Sequence, residues 1–137
     1  MDLDALTVIL ANRLAAVVPA GFYVEAADGM LRYTCDEGRF PGQHGDYHCG
    51  EAGTFVRENF GLYGETDADN IAGVATQTLD ELQDYISEAT HDPWPGLRSQ
   101  PSPHARISGA TLHLWYGDPN NVALACAPVP LADVRAR

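Results

Sequence analysis

The sequence predicts an α+β domain: an antiparallel sheet of about four to six strands, made of two hairpins plus short strands, with two main helices packed on one face. Three observations favour this class, namely an apolar helical repeat near the N-terminus, a longer helical repeat in the middle of the chain, and a hairpin pattern after each of them. The length of 137 residues indicates one globular domain, residues 1–137.

The first helix is predicted over residues 3–18, where leucines and valines recur at helical spacing. Asp2 or Asp4 can cap its first turn, and the Pro-Ala-Gly sequence of residues 19–21 ends it. We interpret it as a helix that covers the core. A helix on a membrane surface would carry several cations on its polar face, and this one carries a single arginine.

The clearest local prediction is a hairpin over residues 22–35. Two β-rich runs are separated by Asp28-Gly29, a dipeptide that favours the positive φ angles of a type I′ turn. The resulting register puts Glu25 opposite Arg32 on one face and apolar side chains on the other.

Residues 36–64 form a glycine-rich insert that contains seven of the thirteen glycines. Its interleaved aromatic side chains need burial, so we expect it to fold back over the sheet. A short strand is predicted at Tyr47-His48, and either a strand or a helical turn over residues 54–60. One alternative is a cup for a small molecule, lined by Tyr33, Phe40, Tyr47, Phe55, Phe60 and Tyr63.

The insert and its border also contain thiol and imidazole groups, which suit zinc. No Cys-x2-Cys pair is present, so the pattern is only weakly specific. The weak candidates for metal ligands are Cys35, His44, His48 and Cys49. The stronger prediction is that the protein holds no metal and no cofactor.

The longest predicted element is a helix that begins at Asp67 and ends within residues 91–96, a His-Asp-Pro-Trp-Pro-Gly sequence. The prolines stop the helix and hold Trp94 in a stiff extended segment. Apolar side chains fall on one side of the helical wheel and predict a buried stripe: Ile71, Val74, Ala75, Thr78, Leu79, Leu82, Tyr85, Ile86 and Ala89.

Acidic residues occupy the opposite side of this helix. Asp80, Asp84 and Glu88 follow at i, i+4 and i+8, and like charges at this spacing destabilise a helix by roughly 0.2–0.5 kcal/mol per pair. A solvated face is the simple interpretation, and a docking ridge for a basic partner is the functional one. The predicted partner-binding residues are Asp80, Glu81, Asp84, Glu88 and Trp94, with Trp115 as a second aromatic anchor.

After the long helix, the sequence predicts one strand over residues 105–116, a turn over residues 117–121 and a central strand over residues 122–127. Two prolines should then end regular pairing. Residues 133–137 should form a frayed tail.

The charge of the chain excludes several classes of function. The net charge is -11, from 19 acids and eight bases that are all arginine. Without lysine there is no Schiff-base lysine, no P-loop lysine and no lysine general base. The negative charge also argues against nucleic acid, whose phosphates need clustered cations, and favours a partner with a basic surface.

The cysteine count and the N-terminus indicate a cytoplasmic protein. Three cysteines cannot all pair internally, and the N-terminus is acidic where a secretory signal would be basic. No apolar run approaches the ~20 residues that span a bilayer. We therefore expect reduced thiols and no membrane contact.

Catalytic signatures such as Gly-x-Ser-x-Gly, Gly-x-Gly-x-x-Gly, His-Glu-x-x-His and the EF-hand are absent from the sequence. We predict a small non-enzymatic interaction protein, such as an adaptor, a secretion-chaperone-like protein or an immunity-like inhibitor. Its partner would be a protein with a basic surface, and a homodimer is left open. The alternative is a metal- or small-molecule-binding protein centred on residues 36–64.

Overall fold

The structure, a computed structural model, describes residues 1–40, 51–96 and 100–135, which contain both helices and strands. The first half contains helix α1 (Leu3–Ala15), strands β1 (Phe22–Ala27), β2 (Met30–Cys35) and β3 (Ala52–Thr54), and helix α2 (Val56–Asn59). The second half contains helix α3 (Asp67–Thr90), strands β4 (Pro103–Ser108), β5 (Thr111–Asp118), β6 (Asn121–Ala125) and β7 (Val129–Pro130), and a 3₁₀ helix (Leu131–Val134).

The strands form two antiparallel sheets. One has the order β1-β2-β3, and the other has the order β4-β5-β6 with β7 also paired to β5. The predicted α+β class with two main helices is confirmed. Its strands are divided between sheets of three and four, where the sequence indicates a single sheet. No helix in the described ranges is both long enough and apolar enough to cross a membrane.

Helix α1 begins where the sequence predicts and ends earlier. The Asp2 carboxylate accepts a hydrogen bond from the Ala5 amide at 3.0 Å and so caps the first turn. The helix ends at Ala15 rather than at Val18. Val17 and Val18 pack against the core from the segment that follows.

The β1-β2 hairpin has the predicted turn and register. Glu25 lies opposite Arg32, and their side chains form a 3.0 Å ion pair. Asp28 and Gly29 have φ angles of 49° and 79°, as a type I′ turn requires. On the other face of β2, Tyr33 points into the core and is fully buried.

Helix α3 lies between the two sheets. The Thr66 hydroxyl caps its first turn, and His91 follows its last residue in the left-handed conformation, with φ 60°. Every residue of the predicted apolar stripe is buried. This stripe packs against β2 and β3 of one sheet and against β4 and β5 of the other.

Two tyrosines, one from each sheet, reach the same turn of α3. The Tyr33 hydroxyl lies 3.3 Å from the Thr78 carbonyl oxygen and 2.6 Å from the Thr54 hydroxyl. The Tyr116 hydroxyl donates to the Leu79 carbonyl oxygen at 2.7 Å. Burial raises the pKa of both phenols far above the ordinary value. They therefore stay neutral donors that connect α3 to both sheets.

The described part of the insert contains β3 and the one-turn helix α2. The structure thus has both a short strand and, over residues 56–59, the helical turn that was one of two predicted alternatives. Gly61 follows with φ 109°, a left-handed angle that favours glycine. The predicted strand at Tyr47-His48 lies outside the described residues.

The buried Asn70 side chain holds the loop between α2 and α3. Its oxygen accepts hydrogen bonds from the amides of Gly61 and Tyr63, and its nitrogen donates to the carbonyls of Gly64 and Thr66. All four hydrogen-bonding positions of the amide are used. The loop is therefore fixed to the first turn of α3.

The single strand predicted over residues 105–116 is wrong, because two strands occupy this region. Strands β4 and β5 are joined by a tight turn at Gly109-Ala110, with Ser108 opposite Thr111. Gly109 has φ 62°. The turn lacks the Asn-Gly or Asp-Gly dipeptide that marks such hairpins in a sequence, which is why the alternating pattern reads as continuous.

Strand β6 is an edge strand, so the prediction of a central strand at this position is also wrong. Strand β5 is central in this sheet, with β4 on one side and β6 and β7 on the other. Three side chains of β6 that read as core residues are exposed: Val122, Ala123 and Ala125. Their apolar character does not come from burial within this chain.

The C-terminal segment is paired and buried where the sequence predicts interruption and fraying. After Pro128 the chain pairs again as β7, and Pro130 lies in that strand, which a proline tolerates at an edge. Val134 is fully buried, and its carbonyl accepts from the Asp2 amide at 3.0 Å. Both predictions are therefore wrong within the described residues.

We predict that Tyr116→Phe lowers the free energy of unfolding by about 1 kcal/mol, because it removes one buried hydrogen bond and leaves the ring in place. The matched control is Tyr23→Phe. The Tyr23 hydroxyl makes a 2.8 Å hydrogen bond to Asp36, but this side chain is 50% exposed, so its loss should cost close to nothing. Urea unfolding measures both variants. Equal losses would contradict the importance of the buried contact.

Candidate functional site

The acidic ridge, defined as Asp80, Glu81, Asp84 and Glu88, lies along the side of α3 that does not face the core. The carboxylates of Asp80, Asp84 and Glu88 are exposed. Eight helical residues span about 12 Å, so these three carboxylates form a line of about that length. The buried stripe on the opposite side of α3 packs against both sheets. The line of three carboxylates therefore lies on a helix whose position is fixed by the core.

Glu81 differs from the other acids because the fold already uses its carboxylate. One oxygen accepts from the Thr54 hydroxyl at 2.8 Å, and the other accepts from the Gln77 amide at 2.7 Å. Since the Thr54 proton goes to Glu81, Thr54 accepts from Tyr33, whose single proton is then shared between the Thr54 hydroxyl at 2.6 Å and the Thr78 carbonyl at 3.3 Å. Glu81 therefore also joins α3 to β3, a role that the sequence does not reveal.

The exposed acids of the ridge repel one another. The pKa of Asp84 is raised above its ordinary value, first by desolvation and then by the negative charges of Asp80, Glu88 and Glu81. Among the described residues, every ion pair uses an acid outside the ridge: Arg32 with Glu25, Arg39 with Asp36, and Arg57 with Asp4. Folding of these ranges thus leaves the ridge without a neutralising ion pair.

Trp94 lies beside the last turn of α3. Its amide donates to the Ser87 hydroxyl at 3.2 Å. Its indole meets the buried Tyr116 ring edge-on, with centroids 5.1 Å apart, and is half-buried against the core. Trp94 thus closes one end of the core beside the last turn of α3, and its contact with a partner stays a prediction.

A groove of about 470 Å³ adjoins the ridge at Asp80. Gly73 in its wall lets the Tyr63 side chain pack directly on α3, because a Cβ atom at this position would collide with Cβ and Cγ of Tyr63. Tyr63 also donates a hydrogen bond to the Gln77 side chain. The groove is not predicted from the sequence, although a glycine inside a strong helical repeat is the signal for a close approach of this kind.

Trp115, the second aromatic candidate, lies on the outer face of β5. Its ring stacks on His104 of β4 with centroids 5.2 Å apart, and its N–H donates to the Gly117 carbonyl at 3.1 Å. The indole is half-buried. The neighbouring outward pair on the same two strands is Arg106 and His113, and both are exposed.

One of the four candidate metal ligands, Cys35, lies in the described residues, where it is half-buried on β2. His44, His48 and Cys49 lie outside the described residues, so the zinc alternative stays a prediction. Within the ranges that are described, no three His, Cys, Asp or Glu side chains are grouped as metal ligands.

Some of the aromatic side chains that were predicted to line a cup pack in or on the core, and others lie on the surface. Tyr33 is fully buried, and Phe40 packs on Phe22 with ring centroids 4.4 Å apart. Phe55 and Tyr63 are 47% and 42% exposed. Phe60 packs partly buried against the core, and Tyr47 lies outside the described residues.

The described surface presents a line of carboxylates on α3, with a groove beside Asp80 and the half-buried Trp94 beside the last turn of the helix. The Cys126 thiol is buried, and burial raises its pKa to about 11, which keeps it protonated and unreactive at neutral pH. Comparisons with protein-family models, curated proteins and solved structures each found no match.

We predict that Gly73→Ala destabilises the protein by about 1 kcal/mol, although alanine is the better helix former by a similar amount. The added methyl group would collide with Cβ and Cγ of Tyr63, atoms that cannot move without the loop. In a Tyr63→Gly background the same substitution should become stabilising by about 1 kcal/mol. Chemical unfolding of the four proteins measures this reversal of sign. Stabilisation in both backgrounds would contradict it.

We predict that Asp84→Asn stabilises the protein at pH 7 by a few tenths to about 1 kcal/mol, because it removes two like-charge pairs at i, i+4 spacing. The pKa of Asp84 is raised in the folded state. The repulsion therefore acts fully above that folded pKa and disappears as pH falls below the unfolded value of 3.8. The advantage of the variant should disappear over the same range.

Thermal unfolding between pH 3 and pH 7 measures this dependence, with Glu37→Gln as the control because Glu37 is exposed and lies outside the ridge. The control should change stability little at any pH. A variant Asp84→Asn that is less stable than the wild type at pH 7 would mean that the carboxylate has a favourable contact.

Proposed function

We propose that this chain is a small, acidic, cytoplasmic interaction domain without enzymatic activity, which binds the basic surface of a protein partner through the acidic ridge. An adaptor, a secretion-chaperone-like protein or an immunity-like inhibitor would each use such a surface. The supporting observation is the line formed by Asp80, Asp84 and Glu88, in which desolvation and then the neighbouring negative charges raise the pKa of Asp84.

The spacing of the ridge defines the partner that would fit it. Successive carboxylates are one helical turn apart, about 6 Å along the axis, so cations at a similar separation would match them. Arginine suits this role better than lysine, because its planar guanidinium can donate two parallel hydrogen bonds to one carboxylate. We therefore expect an arginine-rich helix or strand on the partner.

Binding of this partner would relieve the repulsion that folding leaves in place. Asp84 lies between Asp80 and Glu88, so a guanidinium at this point would be attracted by three carboxylates at once. Charge complementarity of this kind also speeds association and favours one partner over others. Glu81 should contribute less, because Thr54 and Gln77 already donate to its carboxylate.

Apolar contacts at the two ends of the ridge would add affinity. The half-buried indole of Trp94 lies beside the last turn of α3, and the groove beside Tyr63 adjoins Asp80. Aromatic side chains at the border of a charged surface are typical of the contacts that contribute most binding energy. The partner segment should therefore carry an apolar side chain on one or both sides of its arginines.

The experiment is a pull-down from native cell lysate with the wild type and with the triple variant Asp80→Asn/Asp84→Asn/Glu88→Gln, at low and high salt. We expect the wild type to capture a basic protein, and we expect high salt to weaken the complex because exposed charges are screened. The triple variant should lose the partner. Titration of the purified partner then measures the affinity.

The matched control removes the same charge elsewhere, as Glu37→Gln/Glu58→Gln/Glu65→Gln, three exposed acids outside the ridge. This control should bind the partner as the wild type does. If no partner is recovered, or if the two triple variants bind equally well, the ridge is not the binding surface and the proposal is wrong.

A further inference from the structure

A groove of about 630 Å³ lies on the outer face of the sheet that contains β5. The side chains of β5 alternate along the strand. Leu112, Leu114 and Tyr116 are buried on the side of α3, and His113 and Trp115 lie on the outer side. The chain has a net charge of -11, yet none of the described residues that line this groove is acidic. The groove is therefore separate from the acidic ridge in both position and charge.

One end of this groove is polar and carries a cation. Arg106 of β4 lies directly opposite His113 of β5, and Ser108 lies two residues further along β4 on the same face. All three are exposed and line the groove. The arginines of α1, α2 and β2 each bind a carboxylate or carbonyl oxygen. Within the described residues, the Arg106 guanidinium has no such partner.

The other end of the groove is apolar. Trp115 follows His113 by two residues, which is about 7 Å along a strand. Its ring stacks on His104, and its N–H donates to the Gly117 carbonyl at 3.1 Å, so the orientation of the indole is fixed before any ligand arrives. Val122 of β6 extends this apolar surface and is 47% exposed.

We propose that this groove binds a small organic acid in which an apolar ring is joined to a carboxylate by a chain of about three carbons, the length that spans from Arg106 to Trp115. The carboxylate accepts two parallel hydrogen bonds from the Arg106 guanidinium. The donors of His113 and Ser108 lie beside it, and the ring packs against Trp115 and Val122.

The size and charge of the groove favour a small molecule as the occupant. Its volume of about 630 Å³ lies within the range of about 300–1,000 Å³ that small-molecule sites have. A single arginine matches a single carboxylate, whereas an acidic segment of a protein would need several cations.

The acidic composition of the chain makes Arg106 decisive for this ligand. The many carboxylates repel an anion at long range, but physiological salt screens charges beyond about 8 Å. Attraction of the ligand therefore depends on the charge inside the groove. Removal of the Arg106 charge should abolish the preference for an acid over its neutral amide.

Titration of the isotope-labelled full chain with γ-phenylbutyrate, followed by NMR, tests the site. The indole N–H signal of Trp115 should shift and saturate, with a Kd of about 1 mM for a ligand of this size. The indole signal of Trp94, the second tryptophan of the chain, should stay in place because Trp94 does not line the groove. Phenylacetate is too short to reach from Arg106 to Trp115 and should bind more weakly.

Substitution of the arginine supplies the second arm of the experiment. Arg106→Gln should weaken binding of γ-phenylbutyrate by about tenfold or more, because it removes charge-assisted hydrogen bonds. Binding of the neutral γ-phenylbutyramide should not change. The matched control is Arg135→Gln, at an exposed arginine that does not line the groove, and it should bind the acid as the wild type does. Overlaid spectra outside the groove show that both variants are folded.

The absence of a saturable shift at Trp115 up to the solubility limit of γ-phenylbutyrate would overturn the proposal. An amide that binds the wild type as tightly as the acid does, or an Arg106→Gln variant with the affinity of the wild type, would overturn it as well. The residues of the acidic ridge do not line this groove, so each of these results leaves the proposed function of the ridge unaffected.

Discussion

The phenol groups of Tyr33 and Tyr116 meet helix α3 at successive carbonyl groups, and these contacts join parts of the fold that share no strand pairing. A carbonyl oxygen has two lone pairs, so Thr78 and Leu79 can accept a phenol and still keep their places in the helix. The contacts fix the rotation of α3 about its axis. That rotation places the apolar stripe inside and three of the ridge carboxylates outside, so the candidate site is a consequence of the core.

The fold could be predicted wherever a local signal decides the structure. The β1-β2 turn and register followed from two adjacent residues, Asp28-Gly29, and the stripe of α3 followed from its spacing. The second sheet could not be predicted in the same way. The turn at Gly109-Ala110 lacks an Asn-Gly or Asp-Gly dipeptide, and the apolar residues of β6 read as core because their composition does not reveal that this strand lies at the edge of its sheet.

The candidate site likewise has features that the local sequence predicts and features that depend on packing. The exposure of Asp80, Asp84 and Glu88 follows from helical periodicity alone. The bond from Thr54 to Glu81 joins residues far apart in the chain, so only the packing of β3 on α3 reveals it. The same holds for Gln83, whose buried amide donates to the Pro101 carbonyl at 2.6 Å. Contacts of this kind decide which acids of α3 are available to a partner.

Within the described ranges, the buried polar side-chain atoms have hydrogen-bond partners. The one exception is Nε of Arg32. Against this background, one surface feature stands out: the repelling carboxylates on α3. Cations on a second molecule can satisfy them. Salt screens exposed charges but acts weakly on buried hydrogen bonds and apolar contacts, so rising ionic strength should weaken a complex held at the ridge while the contacts that hold α3 between the two sheets persist.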